Sequence, residues 1–296
     1  MEKVIEIENK RYPKLLKDIG SEAPKKLYYK GKWDEFFPAT GRDPAAAGEN
    51  CLAVVGSRHL TSYGKKITEQ FVTEIAASGI TIVSGFMYGG DEAAHSATVK
   101  IGGKTIAVMP CGIDLIHPEF QEKLYHEILE NNGLIISEYE GKFPPALWTY
   151  PKRNRIVAGL SKAILVVEAG LNSGTLITAK YAKQYGRKIF AVPGQITSEV
   201  SKGTIKLIKE GAQVATEPAD ILKYYNLFLA KTNLNKPSLV LSKEEQKIIE
   251  QLKREPMEAD IIARTLGLSV VKIGATLSLM QLKGFINQES GKYYVN

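Results

Sequence analysis

Residues 51–58 read Cys-Leu-Ala-Val-Val-Gly-Ser-Arg, an apolar run that ends in a glycine and two polar residues. The apolar part, residues 52–55, predicts a buried β-strand, and residues 64–78 predict an amphipathic helix after it. The same alternation recurs along the chain to about residue 210. Continuous apolar strands separated by helices are typical of a parallel sheet that is covered on both faces. We therefore predict an α/β fold with a doubly wound, Rossmann-like parallel sheet.

The pattern changes along the chain predict four segments. They are an N-terminal extension packed on the main domain (1–50), a Rossmann-like domain (51–225), a linker (226–241) and a small winged-helix domain (242–296). The last segment shows three short helices and a hairpin, with Ser242 and Glu245 spaced for a capping box. Its third helix, which starts at Val270, is poor in Arg and Asn. We expect little base reading there, and a role in protein contact is at least as well supported.

The composition is that of an ordinary globular protein with a basic bias. The 296 residues carry a net charge of +7, with 24% charged and 44% hydrophobic residues. Residues 242–296 contribute only +1 of this charge, so a polyanion site is expected in the first 241 residues. The two cysteines, Cys51 and Cys111, are too few for a zinc site or a disulfide framework, and we predict buried thiols. Without a leader pattern or an apolar run of membrane-spanning length, the expected location is cytoplasmic, with no membrane contact.

A basic hexamer at residues 150–155 reads Tyr-Pro-Lys-Arg-Asn-Arg and stands just before a predicted helix. The guanidinium groups of Arg153 and Arg155 can bind phosphate in a bidentate way, and Lys152 and Asn154 add a charge and an amide. The ring of Tyr150 offers a face on which a base can stack. A solvated basic helix start is the alternative. We favour a binding role, because positive charge at a helix N-terminus opposes the dipole and calls for an anion nearby.

Polar, glycine-containing turns follow the ends of the predicted strands, where ligands bind in such sheets. These turns are residues 56–58, 84–91, 111–114 and 172–175. Together with the hexamer they are expected to converge on one crevice at the carboxyl edge of the sheet. Ser57 and Arg58 form a natural phosphate seat, helped by the backbone amides of Gly85 and Gly174. The chain lacks G-x-G-x-x-G and an acidic residue after the second strand, which disfavours NAD.

The residues show no arrangement that predicts catalysis. Asp91 and His95 are spaced i, i+4, but no further His or Cys stands at ligand spacing. We favour structural roles for both, with Asp91 capping its helix. Glu168 could bind a base or a ribose hydroxyl, or pair with a nearby arginine, and the sequence leaves these open. Since no Ser-His-Asp grouping or Walker loop is present, we expect no catalytic residue, no metal and no cofactor.

Several segments together resemble the DprA/Smf family of bacterial DNA-processing proteins. The motifs are VVGSR (54–58), SGxxxGxDxxAH (84–95), GIDLIHP (112–118), SEY (137–139), YPKRNRIVAGLS (150–161), VVEA (166–169), SGTLITA (173–179) and FAVPG (190–194). The resemblance covers residues 12 to about 221. It implies a non-enzymatic protein that binds single-stranded DNA, usually as a homodimer, and loads the RecA recombinase during natural transformation. Carried over, the DNA pocket of the family implies DNA-binding roles for Ser57, Arg58, Tyr150, Lys152, Arg153, Asn154 and Arg155.

Two other functions stay open at this point. Related Rossmann-like folds include phosphoribohydrolases, but residues 172–175 lack their double glycine, and Thr178 stands where their turn has a glutamate. A duplex-DNA regulator acting through the winged helix is the third option. For the favoured function we expect sequence-tolerant, salt-dependent binding of single strands. Arg58→Ala or Arg155→Ala should then weaken binding by about 1 to 3 kcal/mol.

Overall fold

The chain forms two structural units, Met1–Thr232 and Asn233–Asn296. The structure is a computed structural model that describes residues 3–38, 50–227, 242–282, 284–289 and 291–295. The first unit contains the sheet and every residue predicted to contact DNA. Residues 39–49 and most of the predicted linker, residues 228–241, lie outside the described residues.

The first unit is built on one nine-stranded sheet. In chain order the strands are β1 (Lys3–Glu6), β2 (Lys26–Gly31), β3 (Cys51–Val55), β4 (Thr81–Ser84), β5 (Thr105–Val108), β6 (Leu134–Ser137), β7 (Ala163–Val166), β8 (Lys188–Ala191) and β9 (Gln213–Val214). Their order in space is β1-β2-β6-β5-β4-β3-β7-β8-β9, and all pairs from β6 to β9 are parallel. The chain runs outward from β3 to β6 and then returns to place β7 beside β3. Ligands bind in open α/β sheets where the strand order reverses in this way.

Helices cover both faces of the sheet, as the continuous apolar strands predict. They are α1 (Lys14–Lys17), α2 (Ser62–Ala77), α3 (Gly90–Lys100), α4 (Glu122–Glu130), α5 (Thr149–Gly159), α6 (Thr175–Gln184), α7 (Lys202–Lys209) and α8 (Pro218–Tyr224). All five residues of β3 are buried. Leu52 belongs to one core with Phe71 of α2, and Ala53 belongs to the other with Ile156 of α5. The predicted Rossmann-like architecture is therefore confirmed.

The N-terminal residues extend the sheet with antiparallel strands. β2 pairs with β6, so that Tyr28 lies opposite Ser137, and β1 pairs with β2. A strand partner so distant in sequence is not visible in a local pattern. The basic hexamer also differs from its prediction, because it lies inside α5 and not before a helix. Pro151 fits there because a proline is tolerated in the first turn of a helix.

The second unit is a winged helix, as predicted. It contains α9 (Lys243–Arg254), α10 (Ala259–Leu266), α11 (Val270–Leu282) and the antiparallel strands β10 (Ile286–Glu289) and β11 (Lys292–Val295). The predicted capping box is confirmed. The Glu245 carboxylate accepts from the Ser242 N–H at 2.7 Å, and the Ser242 hydroxyl accepts from the Glu245 N–H at 3.2 Å. In the part of the chain that the structure describes, no single helix combines the length and apolar character needed to cross a membrane.

Candidate functional site

An open cavity of about 870 Å³ lies at the carboxyl edge of the sheet, beside the reversal between β3 and β7. It is lined by residues of the turns after β3, β4 and β7 and by one face of α5. Three of the four predicted turns and part of the hexamer thus meet in one place. The fourth turn, residues 111–114, does not line the cavity. It pairs instead with the segment after β6, where the Gly112 N–H donates to the Phe143 carbonyl at 2.8 Å.

Arg58 is an exposed cation in this cavity, and it lies between two aromatic rings. Its guanidinium carbon is 5.8 Å from the centre of the Tyr88 ring and 5.3 Å from that of Tyr150. The Tyr150 hydroxyl is in turn 2.8 Å from Nε2 of His117. Within the described ranges Arg58 forms no salt bridge, and attraction to the two ring faces holds the guanidinium in place. It is therefore available to bind an anion.

The turn that carries Arg58 is fixed at both ends by Glu168. The Ser57 N–H donates to the Glu168 carbonyl at 2.8 Å. The Glu168 carboxylate accepts from the Thr61 N–H at 2.9 Å and from the Thr61 hydroxyl at 2.6 Å. Glu168 is 3% exposed. The sequence left open whether Glu168 binds a base or a ribose hydroxyl or pairs with an arginine. In the structure its carboxylate instead supports the turn through Thr61.

The hexamer residues point in two directions, because successive side chains of a helix are about 100° apart. Tyr150, Arg153 and Asn154 line the cavity. Lys152 and Arg155 instead lie beside Glu138, on the other side of α5. The cavity thus contains only part of the predicted cationic group.

Arg153 forms part of the cavity wall, but its charge is already bound within the protein. It is 4% exposed, and its guanidinium donates to the Val108 carbonyl and lies near the partly buried Asp91. Burial raises the pKa of Asp91 and lowers the pKa of Arg153, and the charge of each partly opposes the shift of the other. Asp91 accepts from the Ser84 hydroxyl at 3.0 Å. The guanidinium of Arg153 is thus bonded within the protein, and its predicted phosphate contact stays a prediction. Asp91 faces Arg153, where a helix cap was predicted.

Arg155 lies apart from the cavity where the sequence predicted it, and its predicted contact with DNA stays a prediction. It is 7% exposed and does not line the cavity. Its Nη2 donates to Glu138 Oε1 at 2.6 Å, and Lys152 Nζ lies 3.4 Å from the other oxygen of that carboxylate. A buried, paired guanidinium is not free to hold phosphate beside Arg58. The sequence reasoning missed Glu138, although the helical period counted from Thr149 would have separated Arg155 from Arg153.

The backbone amides of Gly85 and Gly174 both line the cavity, as predicted. Among the described residues, neither N–H donates to a protein group. Both are therefore free to donate a hydrogen bond to an anion. Asn154 Nδ2 donates to the Gly174 carbonyl at 3.3 Å and links α5 to the turn after β7. At Gly85 a Cβ would lie 2.5 Å from Arg153 Nη2 and would also overlap Asp91, so any larger residue requires the ends of these two side chains to shift.

His95 is a structural residue, as the sequence suggested. It is fully buried, and its Nε2 donates to the Gly85 carbonyl at 2.5 Å, while Nδ1 lies 2.8 Å from the Thr105 hydroxyl. Burial lowers the pKa of His95 to about 4, so the ring is neutral at neutral pH. Both cysteines are buried and free. No group of three or more His, Cys, Asp or Glu side chains in the described ranges is arranged to hold a metal ion.

Comparison with known families gives two matches that together span most of the chain. The model of DNA recombination-mediator protein A matches residues 3–226, and that of the DprA winged helix domain matches residues 233–292. Protein Smf of Escherichia coli (strain K12) is 36% identical over 249 residues, which is 82% of this chain and 67% of that protein. The DNA processing protein DprA of Streptococcus pneumoniae is 39% identical over 212 residues, covering 71% of this chain and 70% of that protein.

Solved structures give the same result. The X-ray structure of DprA from Streptococcus pneumoniae has a TM-score of 0.68 at 37% identity, covering 75% of this chain and 74% of that one. A structure of DprA from Helicobacter pylori, reported for its single-stranded DNA binding mode, has a TM-score of 0.64 at 30% identity. That comparison covers 76% of this chain and 98% of the Helicobacter pylori chain.

Proposed function

The chain belongs to the DprA/Smf family of DNA recombination-mediator proteins, and from this premise we propose that it binds single-stranded DNA in the cavity at the sheet edge. We further propose sequence-tolerant binding by a homodimer that loads a RecA-type recombinase during natural transformation. The proposed place of action is the cytoplasm, and no catalytic step is included. The single-stranded DNA binding mode reported for the Helicobacter pylori protein supports the choice of ligand.

One observation carries the proposal: a guanidinium that has no carboxylate partner among the described residues lies between two aromatic rings in an open cavity. Arg58 offers charge to a phosphate, while the rings of Tyr88 and Tyr150 beside it offer faces to bases. Charge and ring stacking are the two contacts that single-strand binders combine. Because neither contact depends on the identity of the base, the proposed binding is tolerant of sequence.

The remaining cavity residues have separate parts in the proposed site. The amides of Gly85 and Gly174 contact phosphate oxygens, and Asn154 offers a polar side chain next to Tyr150. Arg153 holds its helix against the end of β5 through the Val108 carbonyl. Lys152 and Arg155 lie outside the cavity, and Lys152, with a 44% exposed side chain, is the one that a bound strand can reach.

The test measures binding of a labelled oligothymidylate by fluorescence polarisation at two salt concentrations. Arg58→Ala should weaken binding by about 1 to 3 kcal/mol, or about 5- to 150-fold, and should reduce the salt dependence. Arg11→Ala is the matched control, because it removes the same charge at an exposed pair with Asp34 that does not line the cavity. Equal affinities of the Arg58 and Arg11 variants would contradict the site.

A hydrolytic function has less support from the cavity. Of the carboxylates that line it, Asp91 is partly buried and accepts from Ser84, and Glu199 is largely exposed and pairs with Lys202. Neither carboxylate is therefore free to act as a general base on a ligand in the cavity. Incubation with nucleoside monophosphates followed by chromatography tests this alternative, and release of a free base would overturn the non-enzymatic proposal.

A further inference from the structure

Three aromatic side chains form a cluster on the other side of α5 from the cavity; Tyr139, Phe143 and Trp148 are called the aromatic cluster below. The rings of Tyr139 and Phe143 stack with centroids 4.7 Å apart and planes 12° apart. Trp148 meets them edge-on at 6.0 and 6.2 Å. Trp148 is 53% exposed and Phe143 38% exposed. The cluster therefore presents rigid ring surface to water, packed from behind by Tyr139.

One lysine lies over two of these rings, and a second lysine precedes Phe143 in the sequence. Lys152 Nζ lies 5.6 Å from the centre of the Tyr139 ring and 5.7 Å from that of Trp148. Lys142 is exposed and forms no ion pair within the described residues. Of the nearby acids, Glu138 is paired with Arg155, while Glu140 is exposed and accepts from the Tyr28 hydroxyl at 3.1 Å. Exposed rings next to cations suit the bases and phosphates of a single strand.

The cluster is continuous with the cavity through the N-terminal end of α5. Leu147 lines the cavity and is 92% exposed, and the next residue, Trp148, is the N-cap of α5. A helix is about 10–12 Å across with its side chains. A strand that leaves the cavity past Tyr150 therefore needs only a few nucleotides to cross Leu147 and reach Trp148.

We propose that the aromatic cluster is a second base-stacking subsite for single-stranded DNA. A base stacks on the exposed face of Trp148, and the adjoining phosphates lie near Lys142 and Lys152. This inference rests on the proposed binding of single-stranded DNA in the cavity and extends the path of the strand beyond it.

The chain contains its own probe for this subsite. It has two tryptophans, and Trp33 is 2% exposed with its ring N–H donating to the Arg11 carbonyl at 3.0 Å. Quenching of tryptophan fluorescence by DNA therefore reports on Trp148. Oligothymidylates of about 4 to 16 nucleotides span the range of site sizes seen in single-strand binders. The shortest strands should bind the cavity without quenching, and longer strands should quench.

Two variants of Trp148 separate stacking from other effects. Trp148→Ala should weaken binding of the long strands by about 5- to 150-fold, the range for loss of one base stack, and leave the shortest strands unchanged. Trp148→Phe is the matched control, because it keeps a flat ring. It should retain affinity for long strands while the DNA-dependent quenching disappears. Because Trp148 is half exposed, both variants should fold, and Trp33 emission verifies this.

Each alternative result has a distinct meaning. If Trp148→Ala binds long strands like the parent chain while Arg58→Ala is weakened, the subsite is refuted and the cavity proposal stands. If the parent chain binds no single-stranded DNA, both proposals fail. Quenching by the shortest strands would place Trp148 in the cavity site and refute a separate subsite. A response of Trp148 to a RecA-type recombinase, with none to DNA, would also refute it, because the cluster would then be a protein contact.

Discussion

The ion pair between Arg155 and Glu138 is expected to support the fold and not to contact DNA directly. Arg155→Ala leaves the Glu138 carboxylate, which is 18% exposed, with Lys152 at 3.4 Å as its remaining cation. Removing one partner of a buried pair costs about 3 to 5 kcal/mol. Because Lys152 and partial exposure compensate in part, we expect a loss of about 2 to 3 kcal/mol in the free energy of unfolding of the first unit.

Urea unfolding followed by tryptophan fluorescence measures this loss. Trp33 and Trp148 both lie in the first unit, so the signal reports on that unit alone. With a urea dependence of about 2 kcal/mol per molar, the unfolding midpoint should fall by about 1 M. The double variant Glu138→Gln with Arg155→Met is the control. It removes both charges, and it should be less destabilised than the single variant because no unpaired charge is left.

DNA binding by the same variant completes the test. Measured without urea at a temperature where the variant is folded, its affinity for an oligothymidylate should stay within about threefold of the parent, whereas Arg58→Ala loses more. The reasoning would be refuted by an Arg155→Ala variant that unfolds at the parent midpoint yet binds DNA as weakly as Arg58→Ala. That result would mean that Arg155 leaves Glu138 to contact the strand.

Two further predictions use the same unfolding measurement. Acidification from pH 7 to pH 5 should lower stability through His95 by about 2 kcal/mol, because burial holds its pKa at about 4 in the folded chain, while the unfolded chain takes up the proton near its ordinary value of about 6.5. The raised pKa of Asp91 acts in the opposite direction, so the comparison is with His95→Gln, which should flatten the pH dependence; an unchanged slope would contradict it. Gly85→Ala should cost about 1 to 3 kcal/mol and weaken DNA binding, because its Cβ overlaps Arg153 and Asp91. Gly174→Ala meets no atom within 4 Å and should melt like the parent, so equal midpoints for the two variants would count against the overlap.

The fold was largely predictable, because the information lies in local patterns. The wholly buried β3 and the amphipathic α2 are visible as an apolar run and a helical period. The pairing of β2 with β6 was not predictable, since an antiparallel edge strand needs only a free neighbour with the right backbone. The start of α5 at Thr149 was also missed, because the proline at position 151 suggests a boundary and is equally compatible with a first turn.

The site was predicted at the level of backbone segments and less well at the level of side chains. Turns after neighbouring parallel strands must meet at one edge, so the approach of Arg58 and Gly174 to the same cavity followed from the strand pattern. The contacts of Arg153 and Arg155 depend on the rotation of α5 about its axis. This rotation points Arg153 towards Asp91 and Arg155 towards Glu138. Asp91 was assigned as a helix cap because its partner Arg153 is distant in sequence. Such pairs are set by tertiary packing and leave no local signal.

The double attachment of the Arg58 turn to Glu168 affects how an alanine scan of this protein must be interpreted. Glu168 is acidic and buried, so it has no means of attracting a nucleic acid, yet both anchors of the turn depend on this residue. Glu168→Ala keeps the backbone carbonyl that accepts from Ser57 but removes the carboxylate that accepts from Thr61. One end of the turn would then be released, and Arg58 would lose part of its alignment with the rings. Replacing this carboxylate could thus weaken DNA binding as much as replacing a residue that contacts the DNA. The two cases differ in the salt dependence of the affinity, which stays unaltered when no phosphate contact is lost.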